Sequence, residues 1–289
     1  MTNSASQAER KLSRPPADPV FVGGTGRSGT TITGALVRSH PRYAGVSFEI
    51  KLHALTRFVT RGNRPLSWLQ DIAHSRYESA LHRQMDAESF QSLLDDYTAN
   101  HTDDPVGSAR HLTEGIMDRI AASQGKPSWV EMTPYNALCG SWLHKMFPDM
   151  RLVHMLRDGR DVAASVSATW GQMSVEEALH WWTNRTAKAF ADSRRLPDGV
   201  IHVVNFESLA RYSRERTYGE LLDFLGIDDH PAMRGFFERS LTADRANIGR
   251  WKRGRSKAKQ GTLTKMYRES LTELRDNGMP VPLSPEGVT

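Results

Sequence analysis

Gly24, Gly26 and Gly29, with Arg27, Ser28, Thr30 and Thr31 among and after them, are the first residues whose types and spacing suggest chemistry. Glycine reaches backbone conformations that a Cβ forbids, so successive amides can curl around one anion. Thr30 and Thr31 open a predicted helix whose N-terminal dipole faces that anion. The Gly24-x-x-x-x-Gly29 spacing matches the start of a nucleoside-triphosphate loop, yet Thr30 stands where the lysine for the outer phosphates belongs. That argues against ATP or GTP hydrolysis and for a ligand with fewer charges on its 5′ side. Arg27 supplies a planar cation to the same oxygens. A glycine-rich strand-to-helix turn with no ligand is the plainer alternative from this stretch alone.

A second cradle is written in Leu156-Arg157-Asp158-Gly159-Arg160-Asp161, where Arg157 closes a strand and Ser165 follows on the next helix. Guanidinium fork and hydroxyl can share one small anion; the alternative is a surface pair of Arg157 with Asp158 or Asp161. Glu49 lies beyond a predicted strand on the same edge and could take a proton from a substrate hydroxyl. From the residues alone a surface glutamate is the simpler reading. Cys139 is expected to be a buried small hydrophobe. His53, His74, His82, His101 and His111 match no metal-ligand spacing, so no metal is expected.

The elements that must position these groups alternate. Strands are expected at Pro19 to Gly23, Tyr43 to Val46, Ser128 to Val130, Arg151 to Leu156 and Val200 to Val204, with helices from Thr30 to about Ser39, from Asp161 and from Gln172 to Arg195. Leu221 to Gly226 closes a further helix. The order strand, helix, strand argues a parallel sheet flanked by helices. Residues 50–123 are helical in texture and read as an insertion covering the loop, and Trp181 and Trp182 read as packing residues. Arg250, Lys252, Arg253, Arg255, Lys257 and Lys259 surround Trp251 in a run that suits a nucleic acid, an acidic membrane, a solvated loop or a nucleotide lid.

The 289 residues are 38% hydrophobic and 25% charged, ordinary for a globular chain, with a formal net charge of +5 and a pI of about 9.4 that favours anionic ligands. No apolar run approaches the roughly 18 residues of a membrane span, and the first residues lack the apolar segment of a secretory signal. One cysteine fits a reducing compartment, so a cytoplasmic location is expected.

Together, GGTGRSGTT, HPRYAGVSFE, RLVHMLRDGRDVAASV, VVNFESLA with LLDFLGI, and IGRWKRG resemble the sulfotransferases that use 3′-phosphoadenosine 5′-phosphosulfate, most closely the bacterial and tyrosylprotein-type branch. The likeness runs from about Pro19 to Gly254. It implies an α/β fold, a three-layer P-loop-like domain with a central parallel sheet and a helical insertion. It also implies a sulfotransferase domain over residues 19–276, with an acceptor-pocket insertion at about 50–123, a basic lid at about 245–260, and tails at 1–18 and 277–289.

By that resemblance Arg27, Ser28, Gly29, Thr30 and Thr31 hold the 5′-phosphosulfate and Arg157 and Ser165 the 3′-phosphate. Phe206 stands where many members carry tyrosine, and Gly249, Arg250, Trp251 and Lys252 echo the lid. Glu49 matches the general base of an in-line, metal-independent transfer that releases adenosine 3′,5′-bisphosphate, with Arg27 stabilising the growing charge. Met132 replaces a lysine of the relatives' K-T-P stretch; Arg27 or Lys51 is the candidate substitute, and Glu131 and His53 are secondary acid–base candidates. The expected acceptor is a small molecule with a hydroxyl, not a nucleic acid. A metal-dependent small-molecule kinase with a degenerate loop and a non-catalytic nucleotide- or nucleic-acid-binding module are the competing readings.

Overall fold

A computed structural model of the chain describes residues 18–279. Most of each expected tail, residues 1–17 and 280–289, lies outside the described residues. Five strands, β1 (Val20–Gly24), β2 (Tyr43–Ala44), β3 (Ser128–Glu131), β4 (Arg151–Leu156) and β5 (Ile201–Asn205), pair in parallel in the order β2-β3-β1-β4-β5. The β1–β4 register runs from Val20 opposite Arg151 to Gly24 opposite Met155. The loops that leave these two strands therefore emerge side by side. Sequence connectivity goes from β1 outward to one edge and then from β4 to the other, the arrangement that opens a crevice at the carboxyl ends of the strands.

Alternation along β1 assigns each face its layer. Phe21 joins Leu52, Leu112, Trp129, Trp142 and Leu152 on one side, beneath α2 (Leu52–Thr60), α5 (Pro105–Ser123) and α6 (Gly140–Met146). Val20 and Val22 join Val130, Val153, Leu221 and Phe237 on the other, beneath α1 (Thr30–Arg38), α9 (Arg214–Leu225) and α10 (Pro231–Ser240). Helices on both faces of a parallel sheet make the three-layer α/β architecture that the alternating pattern predicts. A third cluster packs α7 (Gly159–Trp170) and α8 (Val175–Ser193) on α11 (Lys257–Asp276) through Val162, Trp182, Trp251 and Tyr267.

Between β2 and β3 run α2, α3 (Leu66–Ser79), α4 (Ala87–Asn100) and α5. Local chemistry sets their starts: Asp86 accepts from the Ser89 amide and Asp104 from the Gly107 amide. A capping box of Ser174 and Glu177 begins α8. Gly226, at φ 66°, ends α9. Strand β2 is shorter than its sequence suggests: it ends at Ala44, and a Cβ at Gly45 would come 2.8 Å from the Val130 carbonyl oxygen. The basic run is not one loop, since Arg250–Lys252 forms a short 3-10 turn and Ser256 caps α11.

Candidate active site

The loop between β1 and α1 is built on close approach. Gly29 has φ 94°, and a Cβ there would lie 2.5 Å from the Phe206 ring, so only glycine fits by backbone and by space. Ser28 is buried and its hydroxyl lies 2.5 Å from that of Thr25, closing the loop from within. Gly29 offers no side chain to cap α1, and the first turn carries no acidic residue. The leading amides of α1 therefore keep unspent donors at a positive helix end. Arg27, also at positive φ (70°), is exposed.

Arg157 leaves the end of β4 and bridges distant segments. Its guanidinium donates to the carbonyl oxygens of Arg27 (3.1 Å) and Ala246 (2.8 Å) and lies 4.8 Å from the centre of the Phe206 ring. The Asp158 and Asp161 alternatives do not engage it. Asp158 pairs with Arg160 at 2.7 Å, and Asp161 accepts the amides of Gly249 (2.8 Å) and Trp251 (3.1 Å). Arg27 Nε donates to Ser165 Oγ at 2.9 Å, and Arg250 approaches the same oxygen at 3.4 Å. Three arginines and a serine from four segments thus converge, and among the described residues none of the three has a carboxylate within ion-pair distance. Burial draws the Arg157 guanidinium down from its ordinary value, against the pull of Asp161 and Glu207.

The strap that carries Arg250 is held from below. Trp251 is buried, with the Arg160 guanidinium 4.3 Å from its ring centre and 4.5 Å from that of Tyr267. Trp251 therefore anchors the strap, and Lys252 faces a separate hollow along α11 with Gln260, Lys265 and Arg268. Neither lines the cleft with Arg27, Gly29, Thr30, Thr31, Arg157, Ser165, Phe206 and Arg250.

That cleft, about 640 Å³, extends past the loop to a second end. There Glu49 Oε2 lies 3.2 Å from Lys51 Nζ, and Ala54, Leu55, Tyr135 and Arg185 form walls, while Trp170 and Trp181 stand over Gly26 of the loop, 3.4 and 3.7 Å from where a Cβ there would lie. Trp181 and Arg185 are one helical turn apart on α8, so they share a face. Trp182, the next residue, turns into the core beneath Gly159. Both tryptophans pack as expected, Trp182 inside the third cluster and Trp181 against its edge, and Trp181 also lines the cleft. Tyr135 and Arg185 were not foreseen at all: Tyr135 sits in the 3-10 turn Pro134–Leu138, and an aromatic or arginine on an amphipathic helix carries no local mark of the surface it meets.

Glu131 and His53 lie beneath this end, not in it. Both are nearly inaccessible, with His53 Nε2 3.1 Å from Glu131 Oε2. The carboxylate also accepts from the Ile50 amide (3.1 Å), the Thr133 amide (2.9 Å) and hydroxyl (2.7 Å), and Asn136 Nδ2 (2.7 Å). Burial alone would raise this carboxyl, but the His53 charge and these donors outweigh it and hold it at about 2. The same pairing raises His53 against its own burial. The Ile50 bond, together with Lys51 N on Thr133 Oγ1 at 3.2 Å, fixes the turn that presents Glu49. Met132 packs against Gly34 of α1 and is buried, so its chain does not line the cleft. Burial pushes the Cys139 thiol up, which leaves it inert at neutral pH.

Among the described residues no three His, Cys, Asp or Glu converge on a metal-sized site, and no helix is long and apolar enough to cross a membrane. Comparison with known proteins agrees with the fold. The sulfotransferase domain of the Synechococcus PCC 7002 olefin synthase superposes with a TM-score of 0.59 at 16% identity, covering 94% of this chain and 98% of that one. The sulfotransferase domain from the curacin biosynthetic pathway gives 0.57 at 16%, covering 93% and 100%. In sequence, the nodulation protein NoeE of Sinorhizobium fredii (strain NBRC 101917 / NGR234) is 24% identical over 157 residues, 54% of this chain. The match takes in 33% of NoeE, so the chain spans about a third of the length of that curated relative. The family model described as "Sulfotransferase family" matches residues 19–231, nearly three quarters of the chain, and the protein belongs to that family.

Proposed function

We propose that the chain moves a sulfuryl group from 3′-phosphoadenosine 5′-phosphosulfate to the hydroxyl of a small acceptor. The observation that carries this reading is the meeting of Arg27, Arg157, Ser165 and Arg250 beside the uncapped start of α1. Cations without carboxylate partners and amides without acceptors are costly to keep unless an anion completes them.

The residues fit the donor. The α1 amides, Thr30 and Thr31 would hold its 5′ end; Arg157, Ser165 and Arg250 would hold its 3′-phosphate; Ile32 and Phe206 offer apolar surface to the base. When bound, the donor supplies an activated sulfuryl group on a good leaving phosphate. Glu49 is the base, accepting the acceptor's hydroxyl proton on a carboxylate oxygen. Lys51 orients that carboxylate through their contact at 3.2 Å. Charge that grows at the leaving end meets the α1 amides and Arg27, placed before the reaction starts. The helices of residues 50–123 contribute Ala54 and Leu55 to the acceptor side, and residues 245–252 act as the donor strap.

The test is formation of adenosine 3′,5′-bisphosphate from the sulfated donor with a panel of hydroxyl acceptors in the presence of a chelator. Glu49→Ala is expected to abolish it and leave bisphosphate affinity nearly unchanged. Turnover retained in that variant would remove Glu49 from the base role, and no bisphosphate formed with any acceptor, together with phosphoryl transfer from ATP that a chelator stops, would replace sulfotransfer with metal-dependent phosphoryl transfer.

A further inference from the structure

Two largely buried arginines beside the sheet are satisfied by carboxylates, whereas Arg185 on the cleft wall, like Arg157 at the other end of the cleft, is not. Arg57 pairs with Asp192 at 3.1 Å and Arg160 with Asp158 at 2.7 Å. Arg185 has neither an acid nor a hydrogen-bond acceptor among the described residues, and its Nε is buried and unpartnered. Its guanidinium is held between aromatic rings, 5.4 Å from the centre of Tyr135 and 5.1 Å from that of Trp181. Asp192, two turns along the same helix, is spent on Arg57 and on the amide and hydroxyl of Ser141. Glu49, the carboxylate on the cleft lining, is engaged with Lys51. Burial also draws the Arg185 guanidinium below its ordinary value, against the pull of Tyr135.

We infer that the acceptor carries an anionic group, a carboxylate or sulfonate, that docks on Arg185, attached to an apolar body that fits the Ala54, Leu55 and Tyr135 walls. The chemistry follows from the side chain. A planar guanidinium stacked on rings is pre-oriented, so it gives an oxyanion two parallel donors at little entropic cost. A neutral acceptor would leave this cation desolvated and unpaired, which selects against such acceptors as strongly as the contact selects for anions. The site rests on the sulfotransfer reading only for its purpose; the anion pocket itself is a binding property of the chain.

Calorimetric titration of 3-(4-hydroxyphenyl)propanoate, its amide and 4-hydroxybenzenesulfonate separates these claims, run with and without saturating adenosine 3′,5′-bisphosphate. The wild type is expected to bind one or both anions about ten- to a hundredfold more tightly than the amide, the range of a charge-assisted contact. Carboxylate over sulfonate, or the reverse, identifies the anion. Arg185→Gln is expected to erase the difference, Arg185→Lys to keep part of it, and both to bind the bisphosphate like the wild type. An amide that binds as well as the acids, acids that do not bind, or a preference that survives in Arg185→Gln overturns the inference. So does loss of bisphosphate affinity in Arg185→Gln, which would assign Arg185 to the donor. Failure of the wild type to bind the bisphosphate sinks the sulfotransfer reading alone, because the titrations without it still report on Arg185.

Discussion

The two ends of the cleft are constructed differently. At the end we assign to the donor, polar side chains tie remote segments together: Arg157 joins the β1 loop to the strap, and Asp161 holds the strap by two amides. At the acceptor end the walls are mostly aliphatic chains and the Tyr135 ring, and the polar groups Glu49, Lys51 and Arg185 make few bonds inside the cleft. Its order comes from below, through the Glu131–His53 pair under the 49–51 turn. The contrast teaches that an end built for one invariant ligand can be wired into the sheet, whereas an end built for an acceptor can vary its lining over a fixed foundation.

The foundation is where the comparison breaks most easily. Glu131→Ala leaves His53 buried beside the unmet donors of Thr133 and Asn136, and a loss of about 3–5 kcal/mol in denaturant unfolding is expected. The sign with pH follows from both partners. A depressed carboxyl contributes stability that is present above its unfolded value, about 4.3, and is lost as pH falls toward 2. A raised histidine contributes below its unfolded value, about 6.5, and loses that contribution as pH rises through its folded value. The wild type should therefore exceed the variant most between those limits, and a gap that is flat across pH would show that the pair is not ionised.

At the donor end, Arg157→Ala should weaken bisphosphate binding by about a hundredfold or more, the scale of charge-assisted bonds lost from a buried site. Unchanged affinity would separate this residue from the ligand. Gly29→Ala should cost about 1–2 kcal/mol from positive φ alone. Its clash with Phe206 adds to that, so the cost of Gly29→Ala should be smaller when measured in a Phe206→Ala background; an equal cost in both backgrounds would mean that backbone strain carries the whole effect. Asp161→Asn should have the smallest effect, a few-fold loss of bisphosphate affinity with stability nearly intact, since an amide oxygen keeps one strap bond. A loss as large as that of Arg157→Ala would mean that the strap unfolds without its second bond.

The same contrast decides what could be read from the chain. β1, β4, the turn after each, and the helix start at Thr30 are local features, with glycines, hydroxyls and apolar runs in fixed order, and they were legible together with the layers they imply. Phe206 and Arg250 came from the family resemblance, and the structure gathers them with Arg157. The aromatic cleft walls were not legible. Trp181 and Trp182 are neighbours of the same type, and only the crossing of α8 over α7 sends one to the cleft and the other to the core. Glu131 looked like a possible acid or base because its type permits that, but five donors converge on it only after the 49–51 turn and the Pro134–Leu138 segment meet.

The central claim is that one end of the cleft reads two phosphates on a single nucleotide. Calorimetric titration of adenosine 3′,5′-bisphosphate against AMP and ATP, in metal-free buffer, with wild type and Arg157→Ala, tests it directly. Tight binding of the bisphosphate, at least tenfold weaker binding of AMP and ATP, and loss of that margin in the variant are the results expected. Equal affinity for bisphosphate and AMP, or a preference for ATP, would contradict the account.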